Sequence, residues 1–181
     1  MMDDCCKEEN QKKVSKNSGR DRLIPLLIGG FTLLTLIFGV WLISQSNPAS
    51  IVGNANAQVY TEHGFYEWGE INIKGGNVAH EFTIENRGTE ALELTNIRTS
   101  CMCTTAQIKI EGDASPYFGM HSTSSWLGKV PPGENATLSV IFDPIFHGPD
   151  AIGPIERFIA IETNDTSQPT LEFKLTGNVV K

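Results

Sequence analysis

From Leu23 to Ser44 the chain carries no charged side chain. At about 1.5 Å of rise per residue, a helix over this stretch covers the roughly 30 Å hydrocarbon core of a bilayer. Gly29, Gly30 and Gly39 are tolerated in membrane helices, and Trp41 suits a membrane interface. A buried core helix is the alternative, but nothing else in the chain could wrap a helix apolar all round. Residues 23–44 are therefore predicted to form one transmembrane helix. Lys12, Lys13, Lys16, Arg20 and Arg22 precede it, and no charge follows until Glu62. The excess of basic residues before the span puts residues 1–22 in the cytoplasm and everything after residue 44 outside, in the periplasm or beyond the cell. Ala55-Asn56-Ala57 has the small-residue form of a signal-peptide cleavage site. The apolar run is long for a signal peptide, however, and the triplet lies more than ten residues past it. An uncleaved anchor is the expectation.

Residues 1–22, which include Cys5 and Cys6, are too polar to build a core and read as a disordered tail with reduced thiols. Residues 45–57 are small and polar and read as a flexible linker. Beyond them, residues 58–181 suffice for one domain. There Leu138, Val140 and Phe142 alternate with Thr137 and Ser139, and Leu171, Phe173 and Leu175 with Glu172 and Lys174. A period of two with one apolar face marks half-buried antiparallel strands. Strands are expected at 58–61, 69–74, 77–85, 91–98, 104–110, 136–143, 156–163 and 170–180. Gly75-Gly76, Asn86-Arg87-Gly88, Pro132-Gly133 and Asn164-Asp165 supply the turns between them. No amphipathic helical pattern appears outside the apolar run. The fold class is all-β, an immunoglobulin-like antiparallel β-sandwich preceded by one transmembrane helix.

Charge narrows the function. After residue 44 there are eight Lys and Arg against sixteen Asp and Glu, a net charge near −8. That argues against nucleic acid or anionic lipid as a partner. No Gly-x-Ser-x-Gly, His-Glu-x-x-His or phosphate-loop sequence is present, so an enzyme is not expected.

The order His80-x-Phe82-x-Ile84-x-Asn86-x-Gly88, Ser100-Cys101-x-Cys103-Thr104, Pro132-Gly133-Glu134, Phe142-Asp143, Thr163-Asn164 and Gly177-x-Val179 carries a resemblance. It resembles the bacterial domain-of-unknown-function family 1573, over about residues 58–181. The resemblance implies an immunoglobulin-like sandwich related to ASH and MSP-type domains and placed outside the cytoplasmic membrane. It implies no reaction. Met102 stands where that family often has Gly.

Cys101 and Cys103 are the one place where reactive chemistry is expected. Outside the cytosol thiols are oxidised or metal-bound. Two thiolates one residue apart can share a soft ion, copper(I) or zinc, if histidines complete the shell. If consecutive strands run in opposite directions, the connections at 99–103 and 144–155 fall at one end. Cys101, Cys103 and His147 then meet there with His80 nearby, and His63 lies at the other end. His121 also starts at the far end, but its loop is long enough to fold back. The predicted metal ligands are Cys101, Cys103, His147 and His121. His80 shares parity with Val78 and Phe82 and also reads as a packed side chain. Two other readings stand beside the metal site. One is a disulfide across a single residue, serving a thiol–disulfide partner. The other is an extracytoplasmic protein-interaction module, with the aromatic loop 116–126 as its contact surface. The sequence assigns no oligomeric state.

Overall fold

The computed structural model describes residues 29–40 and 51–181. The polar tail 1–22, the rest of the predicted span and residues 45–50 lie outside the described residues. Residues 29–40 are helical, with Phe31, Leu33, Leu34, Leu36 and Ile37 exposed. No helix among the described residues is long and apolar enough to cross a membrane. The chain divides between Gln45 and Ser46 into two units, and the second is the β domain.

Its strands are β1 (Val59–Tyr60), β2 (Phe65–Asn72), β3 (Val78–Asn86), β4 (Leu92–Thr99) and β5 (Thr104–Ile110). They continue with β6 (Asp113–Ala114), β7 (Gly128–Val130), β8 (Asn135–Phe142), β9 (Gly153–Thr163) and β10 (Thr170–Val180). They form two sheets of order β1-β3-β8-β5-β6 and β2-β10-β9-β4-β7. The alternation read from the sequence sets which faces meet. Phe82 pairs with Leu138, and Leu138 with Ile108, in one sheet. Phe173 pairs with Ile159 in the other. All five side chains are buried in one core cluster between the sheets. Each such side chain stabilises the fold by roughly 1.5–3 kcal/mol.

The sandwich is immunoglobulin-like, but not wholly antiparallel as expected. β2 runs parallel to β10, with Tyr66 beside Leu175 and Ile71 beside Val179. Residues 61–64 return the chain so that β2 lies in the sheet opposite β1 and β3, and alternation alone does not report strand direction. β4 also bulges between Thr95 and Arg98, where Asn96 adopts a φ of 50°.

The predicted linker differs as well. Ala57 is wholly buried in the core cluster. The Asn54 N–H donates to the Asn164 carbonyl, and the Asn56 carbonyl accepts the Thr89 N–H. Residues 54–57 are thus part of the fold, because the turn after β3 and the turn after β9 both close on them. Gly88 makes that closure possible: a Cβ there would stand 2.2 Å from the Asn56 carbonyl oxygen.

A second, smaller apolar cluster lies apart from the main core. It contains Ile71, Ile73, Cys103, Phe142 and Val179, with Trp68, Val78, Cys101 and Ile155 packed on it. Its strand ends converge: β3 begins at Val78 and β8 ends at Phe142, which pairs with both Val78 and Thr104.

Candidate functional site

The site is a tight turn that carries the chain from β4 in one sheet to β5 in the other. Short polar side chains hold it. Ser100 pairs with Phe158 in both directions: its N–H donates to the Phe158 carbonyl and its Oγ accepts the Phe158 N–H. The Thr99 hydroxyl donates toward the Cys101 and Thr104 carbonyls. The Thr104 N–H donates to the Cys101 carbonyl at 3.1 Å. With these anchors the two cysteines face each other, their Cα atoms 5.3 Å apart, and they are joined as a disulfide.

The sulfurs differ in environment. Cys103 is only 3% exposed and belongs to the small apolar cluster, whereas Cys101 is half-buried. The Arg157 Nε–H donates to Cys103 Sγ at 3.1 Å. The guanidinium lies over the Phe142 ring, 5.2 Å from its centre, and Nη1 donates to the Glu156 carbonyl. Burial lowers the pKa of Arg157, and no carboxylate forms an ion pair with it among the described residues. A half-buried cation therefore rests against the buried sulfur.

His147 approaches from the other side. The Asp143 N–H donates to the Cys103 carbonyl at 2.9 Å, fixing the start of the loop after β8. The Asp143 carboxylate then accepts the Ile145 N–H, and the Gly148 N–H donates to the Ile145 carbonyl. Gly148 closes this turn with a φ of 98°, a conformation suited to glycine. The turn presents His147, whose Nε2 lies 3.5 Å from Cys101 Sγ. Cys101, Cys103 and His147 thus form one group with donor atoms all within 4.8 Å of one another.

The remaining candidates lie elsewhere. His121 is not in the group. Its loop does double back, since Ser115 and Phe118 pair with Ile108 and Ala106 along the edge of β5. It then turns at Gly119–Ser122 and returns to Trp126. The exposed His121 stays on that edge because Phe118 and Trp126, with ring centres 5.6 Å apart, anchor the loop on the main core. Of the three aromatic rings of loop 116–126, Phe118 is buried, Trp126 half-buried and Tyr117 exposed, and Met120 and His121 are exposed with it. His80 stacks on Tyr66 with ring centres 3.5 Å apart and meets Phe82 edge-on. His63 is exposed beside Glu62.

Arg157 was missed by sequence reasoning, although a signal existed. It shares parity with Ile155, Ile159 and Ile161 on β9, so strand parity turns it toward the core.

The resemblance read from the motifs is shown over part of the domain. A family described as "Protein of unknown function (DUF1573)" matches residues 60–114, which contain both cysteines but neither His147 nor Arg157. No curated protein matches the chain. Among solved structures, a protein of unknown function from Porphyromonas gingivalis W83 is similar, with 19% identity and a TM-score of 0.52. The match covers 69% of this chain and 49% of that one, so this chain spans about half the length of that protein. An ASH / PapD-like domain of human CEP192 (PapD-like domain 7) is 16% identical at a TM-score of 0.42, over 75% of this chain and 92% of its own. At 19% identity, the match to the Porphyromonas gingivalis protein speaks to fold alone.

Proposed function

We propose that the protein is a membrane-anchored extracytoplasmic binding domain which, with Cys101 and Cys103 reduced, holds one soft metal ion. The thiolates of Cys101 and Cys103 and the imidazole of His147 are its ligands. One observation carries this reading: the three donor atoms lie within 4.8 Å of one another, on two turns joined by the Asp143 N–H donating to the Cys103 carbonyl. Thiolate and imidazole donors favour copper(I) and zinc over hard cations. Three ligands suit copper(I), whereas a closed tetrahedral zinc site needs a fourth. The same sulfurs cannot be a disulfide and two thiolates at once, so reduction precedes metal uptake.

The anchor rests on the uncharged stretch 23–44, whose described part is helical with exposed apolar side chains. The packing of residues 54–57 supports retention over cleavage after Ala57, because cleavage there would strip Ala57 from the core. The basic flank places the domain outside.

The test is copper uptake by the full chain carrying Cys5→Ser and Cys6→Ser, reduced and handled anaerobically. The expected result is about one copper(I) per chain, abolished by Cys101→Ser with Cys103→Ser. His147→Ala should weaken binding by about tenfold or more, and His121→Ala should leave it unchanged. Uptake that survives the double cysteine change sinks this reading.

A protein-interaction role is a second reading, favoured by the exposed side chains of Met102, Ile145 and Phe146. All three lie within two residues of a site residue, so a partner could dock at this end of the sandwich.

A further inference from the structure

We infer that the Cys101–Cys103 disulfide is an electron acceptor for a dithiol, with a fixed polarity: Cys101 is the sulfur attacked and Cys103 is the leaving group. The inference goes beyond the metal reading and needs no metal. Three observations set the polarity. Thiol–disulfide exchange requires a thiolate to approach the disulfide on the line of the S–S bond, so the attacked sulfur must be reachable. Cys101 is half-buried and borders the exposed Met102, whereas Cys103 is 3% exposed inside an apolar cluster. The sulfur that leaves departs with a negative charge, and exchange is faster when that charge is stabilised. Arg157 Nε–H already points at Cys103 Sγ from 3.1 Å, with no carboxylate pairing it among the described residues. A charge-assisted hydrogen bond to the departing thiolate is therefore in place before reaction.

The step balances as follows. One thiolate of the donor dithiol attacks Cys101 Sγ and forms a mixed disulfide. The Cys101–Cys103 bond breaks, and its electron pair leaves on Cys103 Sγ. The donor's second thiolate then attacks its own sulfur in the mixed disulfide and releases Cys101. The donor ends as a disulfide, two electrons and two protons pass to this pair, and no further oxidant is consumed. The Cys101 so released lies beside His147, in the arrangement that the metal reading requires.

Glutathione and dithiothreitol are the probes, with the oxidised full chain bearing Cys5→Ser and Cys6→Ser in detergent, free of metal. After brief exposure to glutathione, acid quenching and alkylation, peptide mass spectrometry should find glutathione on Cys101 and the alkyl group on Cys103. Glutathione mainly on Cys103, or shared equally, overturns the polarity. With dithiothreitol, Arg157→Gln should slow reduction about tenfold, while Arg157→Lys, which keeps the charge, should recover most of the rate. Equal rates for Arg157→Gln and the parent overturn the role of Arg157. The glutathione map uses unaltered Arg157, so it stands if Arg157→Gln fails to fold. A chain whose Cys101 and Cys103 stay alkylatable after treatment with diamide, an oxidant of dithiols, forms no disulfide to be reduced, which overturns the exchange reading and leaves metal uptake standing.

Discussion

His80 lies flat against Tyr66 and edge-on to Phe82, and its neutral form is the one that fits. Burial lowers its pKa from the ordinary 6.5, against the raising pull of Glu81. As pH falls, the unfolded chain takes up this proton first. Its contribution to stability is therefore present above 6.5 and is lost as pH falls through the lower folded value. Asp165 acts in the same direction in a more acidic window. Burial alone would raise its pKa, but hydrogen bonds from Ser167, Val59 and Gln168 outweigh that and hold it below the ordinary 3.8. Its contribution is present above 3.8 and is lost as pH falls through the folded value. Urea unfolding should thus show a smaller drop in stability from about pH 8 to about pH 5.5 in His80→Phe than in the parent. Asp165→Asn should flatten the loss at lower pH, at a cost of about 1–3 kcal/mol near neutrality. An unaltered slope in His80→Phe would show that His80 is not the group titrating. At this scale the sequence was readable where parity applies. Cys101, Cys103 and His147 meet because strand direction sorts connections to ends. His121 stands outside that group, on a long loop whose course follows its buried aromatic anchors, which parity does not see.

The strands predicted from alternation are present, and what alternation missed was short or irregular. β6 and β7 hold two and three residues, too few to show a period, and they hold the start and end of the loop 115–127. Phe118 anchors that loop: it is 2% exposed, pairs with Ala106 through its backbone and meets Trp126. Phe118→Ala should cost about 3 kcal/mol by leaving a cavity. Thermal unfolding together with proteolysis at residues 119–125 would measure it. A loss under about 1 kcal/mol would mean that the loop is held by its hydrogen bonds instead of its ring.

For the molecule as a whole, the most consequential departure from sequence reading is where the domain starts. Small polar residues such as Asn54, Ala55 and Asn56 look like linker, because composition does not register that Asp165 and Gly88 are placed to receive them. The Asp165 carboxylate accepts the Val59 N–H at 2.9 Å, and Asn54 bridges to Asp165 through the backbone. A chain beginning at Gln58 should be less stable than one beginning at Ile51 by about 2 kcal/mol, from the lost burial of Ala57 and the lost hydrogen bonds. Equal melting temperatures for the two would return residues 51–57 to the linker.

The parallel pairing of β2 with β10 has a further consequence, for the order in which the chain can become a protein. β10 lies between β2 and β9, so the last strand synthesised is an interior strand of its sheet. Until it arrives, β2 has no sheet partner and β9 has an open edge; the contacts that close β2 join residues about a hundred positions apart, whereas β9 and β10 pair as near neighbours in the chain. The second sheet therefore cannot take in β2 until β10 has been made. A product cut short before Thr170 would display unpaired strand edges, which invite aggregation.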